Sequence, residues 1–298
     1  MSKIISIKDL DDMCVIKWRL TDVCNYQCSY CIRRPLADEG TLMNDMARCI
    51  TAIPGVQRIA KELNEINNKK VKIDLIGGEI TLFNQLSMIL AILYSCEYIE
   101  KINITTNLSR DIGYYKELAN VTKNKNKKLT MTASFHYEFT ELDKFMEKAK
   151  VMNELLGTGF KCETVITKDN KYIDEFIKKC DEIGCRYMCE EDLLDKTKRG
   201  QTVRNYKVGN RYEVTMDTGE KLLYTTRNEV VKTYGEEGIG IDTTGMKCTR
   251  DHDYVYIEKN TAIPCRSKCL ISDYHVSENL RSCTFGKCTL CGHMSIKR

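Results

Sequence analysis

Six short apolar runs alternate with longer segments of helical periodicity over the first 190 residues, and this alternation leaves few folds open. The runs cover 15–20, 71–76, 101–106, 129–134, 160–166 and 185–189. Helical patterns fill 41–67, 84–96, 111–120, 140–156 and 169–183 between them. Leu142, Phe145, Met146, Ala149 and Met152 show the spacing of a helix with one buried face, as do Tyr172, Phe176, Ile177, Cys180 and Ile183. Thr140, Asp169 and Asn170 suit N-caps, and Gly157 and Gly184 suit helix ends. Strand–helix units repeated in this way imply a parallel sheet. Six units fall short of eight-fold closure. The expected fold is therefore α/β, an open six-unit (β/α)6 partial barrel, with its chemistry at the C-terminal ends of the strands.

The pattern stops near Glu191, so residues 1–192 form the expected barrel. Residues 193–247 read as a hairpin and linker insertion, with β-like runs at 212–216 and 221–226 around Asp217-Thr218-Gly219-Glu220. From position alone this hairpin could cover the mouth of the barrel. Residues 248–298 form a small cysteine-rich region. The chain has 298 residues, of which 42% are hydrophobic and 30% charged, and its net charge is +4 with both signs interspersed. That balance is too mild for a nucleic-acid footprint. No apolar stretch reaches the ~20 residues of a membrane span. The first twelve residues carry Lys8, Asp9, Asp11 and Asp12, which does not fit a signal peptide. The expected location is cytoplasmic.

The 16 cysteines are unevenly spread. Cys14, Cys49, Cys96, Cys162, Cys180, Cys185 and Cys189 lie singly in apolar patterns and read as small core residues. Cys24, Cys28 and Cys31 follow the first strand with C-x3-C-x2-C spacing. Three thiolates can hold three corners of an iron–sulfur cube, which leaves one iron open to a small molecule. A structural zinc site is the competing reading. Strand ends supply further polar groups: Gly77-Gly78-Glu79 after the second, Thr105-Thr106-Asn107 after the third, and Ser134-Phe135-His136 after the fourth. The glycines let backbone approach a ligand closely, and the carboxylate can hold an ammonium group. His136 reads equally as a ligand contact or a structural histidine.

This order of motifs over about residues 13–190 resembles the radical S-adenosylmethionine (radical SAM) superfamily, with Tyr30 as the aromatic residue before the third cysteine. Ile80 stands where the family usually has Pro. The resemblance implies that Cys24, Cys28 and Cys31 hold a catalytic 4Fe–4S cluster whose open iron binds SAM. Tyr30, Gly77, Gly78, Glu79, Thr105, Asn107, Ser134, His136 and Val165 are then the SAM-side residues, with Val165-Ile166 against the adenine.

The last 51 residues hold six cysteines. Cys248, a strand at 253–257, the turn Glu258-Lys259-Asn260 and Cys265 resemble the SPASM and twitch extensions of that superfamily. Asn260 stands at the usual Gly position, where it can adopt positive φ. The resemblance implies one auxiliary 4Fe–4S cluster held by Cys248 and Cys265 with two of Cys283, Cys288 and Cys291; Cys269 is ambiguous. Zinc is the alternative, with His293 near Cys291 as a further donor. The expected activity is reductive cleavage of SAM followed by hydrogen abstraction from a peptide or small metabolite, oxidative in outcome. The electron donor would be a flavodoxin or ferredoxin. Glu190, Glu191 and Asp192, after the sixth strand, are candidate substrate or base residues. RNA modification and a non-catalytic cysteine-rich metal protein are the alternative functions.

Overall fold

The computed structural model describes residues 3–33, 38–121, 127–192, 194–195, 201–207, 209, 211–234, 241, 243, 246–248, 254–264, 268–277, 279, 281–282 and 296–297. In chain order the elements are β1 (Ile4–Asp9), β2 (Cys14–Arg19), α1 (Glu39–Asn67), β3 (Val71–Ile76), α2 (Leu86–Ser95), β4 (Ile99–Thr106), α3 (Ile112–Asn120), β5 (Lys128–Ser134), α4 (Leu142–Leu156), β6 (Phe160–Ile166), α5 (Ile173–Glu182) and β7 (Tyr187–Glu191). They continue with β8 (Val203–Arg204), β9 (Tyr212–Met216), β10 (Lys221–Tyr224), α6 (Arg227–Tyr234), β11 (Lys247–Cys248), β12 (Tyr254–Glu258), β13 (Thr261–Ala262), β14 (Cys269–Leu270), β15 (Arg281–Ser282) and β16 (Ile296–Lys297).

Strands β2 to β7 pair in sequence order, each parallel to the next. This is the topology that the strand–helix alternation predicts. The sheet runs further at both edges. β12 joins the free edge of β2 in parallel, with β13 and β14 beyond it, and β8 pairs antiparallel with β7. A second sheet has the order β10-β9-β1-β16-β11-β15. The N-terminal strand therefore lies beside the 212–224 hairpin rather than in the large sheet, and sequence reading did not anticipate this strand.

Buried and half-buried positions alternate along much of the parallel sheet, most regularly in β3. β3 reads buried at Val71, Ile73 and Leu75 and half-buried at Lys72, Asp74 and Ile76. The apolar side packs under the helices, where Trp18, Ile73, Leu75, Ile104, Phe160 and Cys162 meet Val56, Ile59, Leu90, Tyr115, Phe145 and Phe176 in one core. Each large side chain buried there contributes about 1.5–3 kcal/mol. The opposite face carries Lys17, Lys72, Asp74, Lys101, Asn103 and Lys161 over a separate cavity of about 330 Å³. A sheet covered by helices on both faces would read as unbroken hydrophobic strands. Here one face is wet.

Helix ends differ in detail from expectation. Asp38 caps α1 by accepting from Gly40 N (3.1 Å) and Thr41 N (3.0 Å). The cap position of α4 is Glu141 rather than Thr140, and its side chain makes no capping bond. α5 starts four residues later than predicted, because Asn170 organises the preceding loop. Its side chain accepts from Tyr172 N (3.2 Å) and donates to the Val165 carbonyl (2.9 Å). Gly157 and Gly184 both take positive φ, as expected of helix ends. In the turn after β12 the left-handed residue is Lys259 (φ 55°), not Asn260.

Candidate functional site

The chain runs straight from β2 into the cysteine loop. Thr21 is fully buried, donates to Asp45 Oδ2 (2.9 Å) and accepts from Val23 N (3.0 Å), which fixes the loop's first turn. The end of β3 is pressed against the same turn. Gly78 N donates to the Thr21 carbonyl (2.8 Å) and Glu79 N to the Val23 carbonyl (2.9 Å). A Cβ at Gly78 would lie 2.2 Å from Val23 O, and one at Gly77 would lie 2.7 Å from Thr21 O. Both glycines are required by close approach.

Glu79 is 1% exposed. Its Oε1 accepts from Thr81 N (2.9 Å), Thr81 Oγ1 (2.6 Å) and Thr106 Oγ1 (2.9 Å), and its Oε2 accepts from Asn107 N (2.6 Å). Burial pushes its pKa up, and these donors act against that rise. The carboxylate is thus a bracket between the ends of β3 and β4, with one acceptor position left on Oε2. Asn107 carries the bracket onward, donating from Nδ2 to Asn25 Oδ1 in the cysteine loop (2.9 Å).

His136 closes the other side. Its Nδ1 lies 3.0 Å from the Tyr30 hydroxyl and 3.3 Å from Cys28 Sγ, and its ring stacks on Tyr30 with centroids 6.0 Å apart. Burial lowers its pKa to about 4, so the imidazole is neutral at pH 7. Ser134 donates to Glu163 (2.8 Å), which pairs with Lys161 (3.3 Å).

These contacts surround a cleft of about 250 Å³. Cys24, Cys28 and Cys31 line it, together with Tyr30, Gly77, Gly78, Glu79, Thr105, Asn107, Ser134, His136 and Val165, so the first five strand ends meet in one place, whereas Ile166, expected beside Val165 against the adenine, is not among the lining residues. Glu190, Glu191 and Asp192 also line it, although Glu190 and Glu191 belong to β7 rather than following it. Glu190 is open to the cleft yet enclosed by the surrounding protein. Burial and the neighbouring Glu163 raise its pKa to about 7. Sequence reading missed Asp22, Tyr26, Ile32, Arg33 and Thr106 as lining residues. All but Thr106 lie in or beside the cysteine loop, where proximity was the available signal. None of the described residues of 202–230 lines the cleft.

Burial and neighbouring negative charge raise the pKa of Cys24 to about 11 and of Cys28 to about 12. Thiolates crowded in this way need positive charge held among them. Among the described residues no three His, Cys, Asp or Glu side chains close on one metal ion.

The C-terminal segment docks beside this loop. Lys259 N donates to the Arg19 carbonyl (2.7 Å), and the Lys259 carbonyl accepts from Trp18 Nε1 (2.7 Å). The Lys259 ammonium reaches Asp45 (3.0 Å) and Asp22 (3.7 Å). Cys248 lies in β11 of the second sheet and Cys269 in β14 of the large one. Cys265, Cys283, Cys288, Cys291 and His293 lie outside the described residues.

No protein-family profile matches the chain. It is 32% identical over 71 residues to an S-adenosylmethionine-dependent nucleotide dehydratase of Psychrobacter lutiphocae, covering 23% of this chain and 24% of that protein. It is 24% identical over 227 residues to a GTP 3',8-cyclase of Photorhabdus laumondii subsp. laumondii, covering 72% of this chain and 65% of that protein. The chain thus spans less than two thirds of either relative. At this low identity, both similarities support a radical SAM enzyme. Among the described residues, no helix is long and apolar enough to cross a membrane.

Proposed function

We propose that the chain is a radical SAM enzyme that abstracts hydrogen from a peptide or small molecule, with oxidative outcome. The relatives' names favour a nucleotide within that range. The observation that carries the reading is the convergence of three cysteines and four separate strand ends on one cleft. Cys24, Cys28 and Cys31 would hold a 4Fe–4S cluster, and the remaining cleft residues would hold SAM. When bound, these groups supply a one-electron cleavage that yields methionine and a 5′-deoxyadenosyl radical.

The chain's own residues position and enclose. The Glu79 bracket fixes Asn107 and Thr106 at the rim. Gly77 and Gly78 bring bare backbone against the loop. Tyr26 stacks on Phe139, and Tyr30 on Tyr137, so an aromatic wall excludes water beside the thiols. Neutral His136 holds Tyr30 and Cys28 in place. Glu190 is placed to exchange a proton with substrate near neutral pH.

The proposal extends to an auxiliary 4Fe–4S cluster on Cys248, Cys265 and two of Cys283, Cys288 and Cys291, with zinc as the alternative, to a flavodoxin or ferredoxin as electron donor, and to the cytoplasm as location. The test is iron and sulfide per chain after anaerobic reconstitution, beside a variant with Cys24, Cys28 and Cys31 changed to Ala. About eight irons falling to about four, with 5′-deoxyadenosine formed only by the parent, is the expected result for two four-iron clusters. Full iron and full 5′-deoxyadenosine formation in the variant overturn the assignment of the loop.

A further inference from the structure

The polar face of the large sheet holds a second cavity that the radical chemistry does not use. Five cations line it, Lys17, Lys72, Lys101, Lys161 and Arg186, against two carboxylates, Asp74 and Glu163. The carboxylates are already engaged: Asp74 by Lys72 (2.8 Å) and Glu163 by Lys161 (3.3 Å). The Lys101 ammonium makes no hydrogen bond or ion pair within 4 Å among the described residues, although the residue is only half-exposed. It is also the direct cross-strand neighbour of Lys72. Like charges opposed across a ladder destabilise a sheet. Burial, with the charges of Lys72 and Arg186, pulls the Lys101 pKa down against the opposing pull of Asp74 and Asp11. Arg186 Nε is buried without a hydrogen-bond partner. Lys101 and Arg186, set beside the paired Lys72 and Lys161, leave this surface net positive, which is what a polyanion neutralises.

The register connects this cavity to the cysteine cleft. Thr105 lines both. Lys161 is level with Thr132, and Thr132 with Thr105. Lys101 lies four residues below Thr105 on β4, about 13 Å at the usual rise of a strand. Ser134, in the cleft, is hydrogen-bonded to Glu163, in the cavity. One elongated molecule can therefore occupy both spaces.

We infer that this face is the anion subsite for a phosphorylated substrate: Lys101, with Lys72, Lys161 and Arg186, holds a polyphosphate, while the organic end of the same molecule reaches the cleft. The role given to the cleft rests on the proposed radical chemistry; the anion subsite itself does not. A nucleoside triphosphate has the needed charge and length. Phosphate oxygens would bridge Lys101 and Arg186, and the existing Lys72–Asp74 and Lys161–Glu163 pairs would orient the flanking ammonium groups.

The test is calorimetric titration of the anaerobically reconstituted protein with GTP, CTP, inorganic triphosphate and guanosine, with 5′-deoxyadenosine formation from SAM measured in parallel. Both nucleotides should bind at least tenfold tighter than guanosine, and more weakly as salt rises. Lys101→Met should weaken GTP at least tenfold, and Lys101→Arg should restore most of it. Lys144→Met, which removes an exposed charge elsewhere, should leave it unchanged. Inorganic triphosphate binding as tightly as GTP would assign the affinity to the phosphates alone, still through Lys101. Equal binding of GTP and guanosine, or GTP affinity unchanged in a folded Lys101→Met, overturns the subsite. The two readings fail separately: a parent that binds GTP through Lys101 but forms no 5′-deoxyadenosine loses the radical assignment only.

Discussion

Gly78→Ala tests how tightly the cysteine loop is held by the strand beside it. The added methyl would lie 2.2 Å from Val23 O, 2.6 Å from Val23 C and 3.0 Å from Asp22 C. All three are backbone atoms, so no side chain can swing aside. Relief requires moving the Val23–Cys24 peptide by about 1 Å, which stretches the bond from Glu79 N to Val23 O. Overpacking of this kind costs about 1–3 kcal/mol, and a buried donor left unmade about 1–3 more, for about 2–6 kcal/mol in all. A natural domain has roughly 5–15 kcal/mol, so most of the variant stays folded. The strain falls one residue before Cys24. Urea denaturation of the apo-protein gives the stability, and iron per chain after anaerobic reconstitution gives the state of the loop. The expected result is a lower midpoint and a loss of iron from the loop. Gly40→Ala is the control: its methyl meets only Asp38 Oδ1 at 3.5 Å, and in the first turn of α1 it should be neutral or stabilise by up to ~1 kcal/mol. A Gly78→Ala protein with the parent's midpoint and full iron would refute the close-approach argument.

Lys259→Met leaves the Asp45 carboxylate, 1% exposed, with Thr21 as its donor among the described residues. Breaking a buried pair on one side costs about 3–5 kcal/mol, and Lys259→Met combined with Asp45→Asn should recover much of that loss in a urea double-mutant cycle. Additive single effects would mean that the contact carries no coupling. Glu190, raised from the ordinary carboxylate value to about 7, is protonated more readily in the folded chain than in the unfolded one. Its protonated form therefore favours folding below the ordinary carboxylate value, and that contribution is lost as pH rises through about 7. Substrate-dependent turnover should show an inflection near pH 7 that disappears in Glu190→Gln; a profile that keeps its inflection assigns it to another group.

Most of the large sheet was legible because its signal is local. Runs such as VKIDLI and KINITT alternate apolar and polar residues within six positions, and the helices between them show one apolar stripe each. The last parallel strand is displaced by two residues because its apolar run begins in a turn: Gly184 has positive φ, and Cys185 and Arg186 precede β7. β1 was obscured by charge. Asp9, one of the charges that argued against a signal peptide, is 7% exposed and pairs with Arg211 (3.4 Å). Pairings between distant segments, β1 with β9 and β12 with β2, have no local signature.

The same limit explains what was and was not readable at the site. The cysteine loop, GGE, TTN and SFH are short motifs at strand ends, and a parallel sheet in sequence order brings such ends together. Glu79 was visible as a carboxylate, but its four donors come from two strand ends, so its bracketing role emerges only with the fold. Lys259 is more remote still. It comes within 3.0 Å of Asp45 because β12 runs parallel to β2 in register, Glu258 beside Arg19, and so delivers the next residue to the start of the cysteine loop. The cations of the second cavity were hidden in plain view. Each reads as the polar half of an ordinary alternating strand, and only the register stacks Lys72 beside Lys101 and sets Lys161 level with Thr105. A chain that needed only a stable sheet would gain by spreading those charges or replacing them with neutral residues. Keeping them opposed on the concave side, continuous with the cleft, is costly to the fold unless a negative ligand completes them.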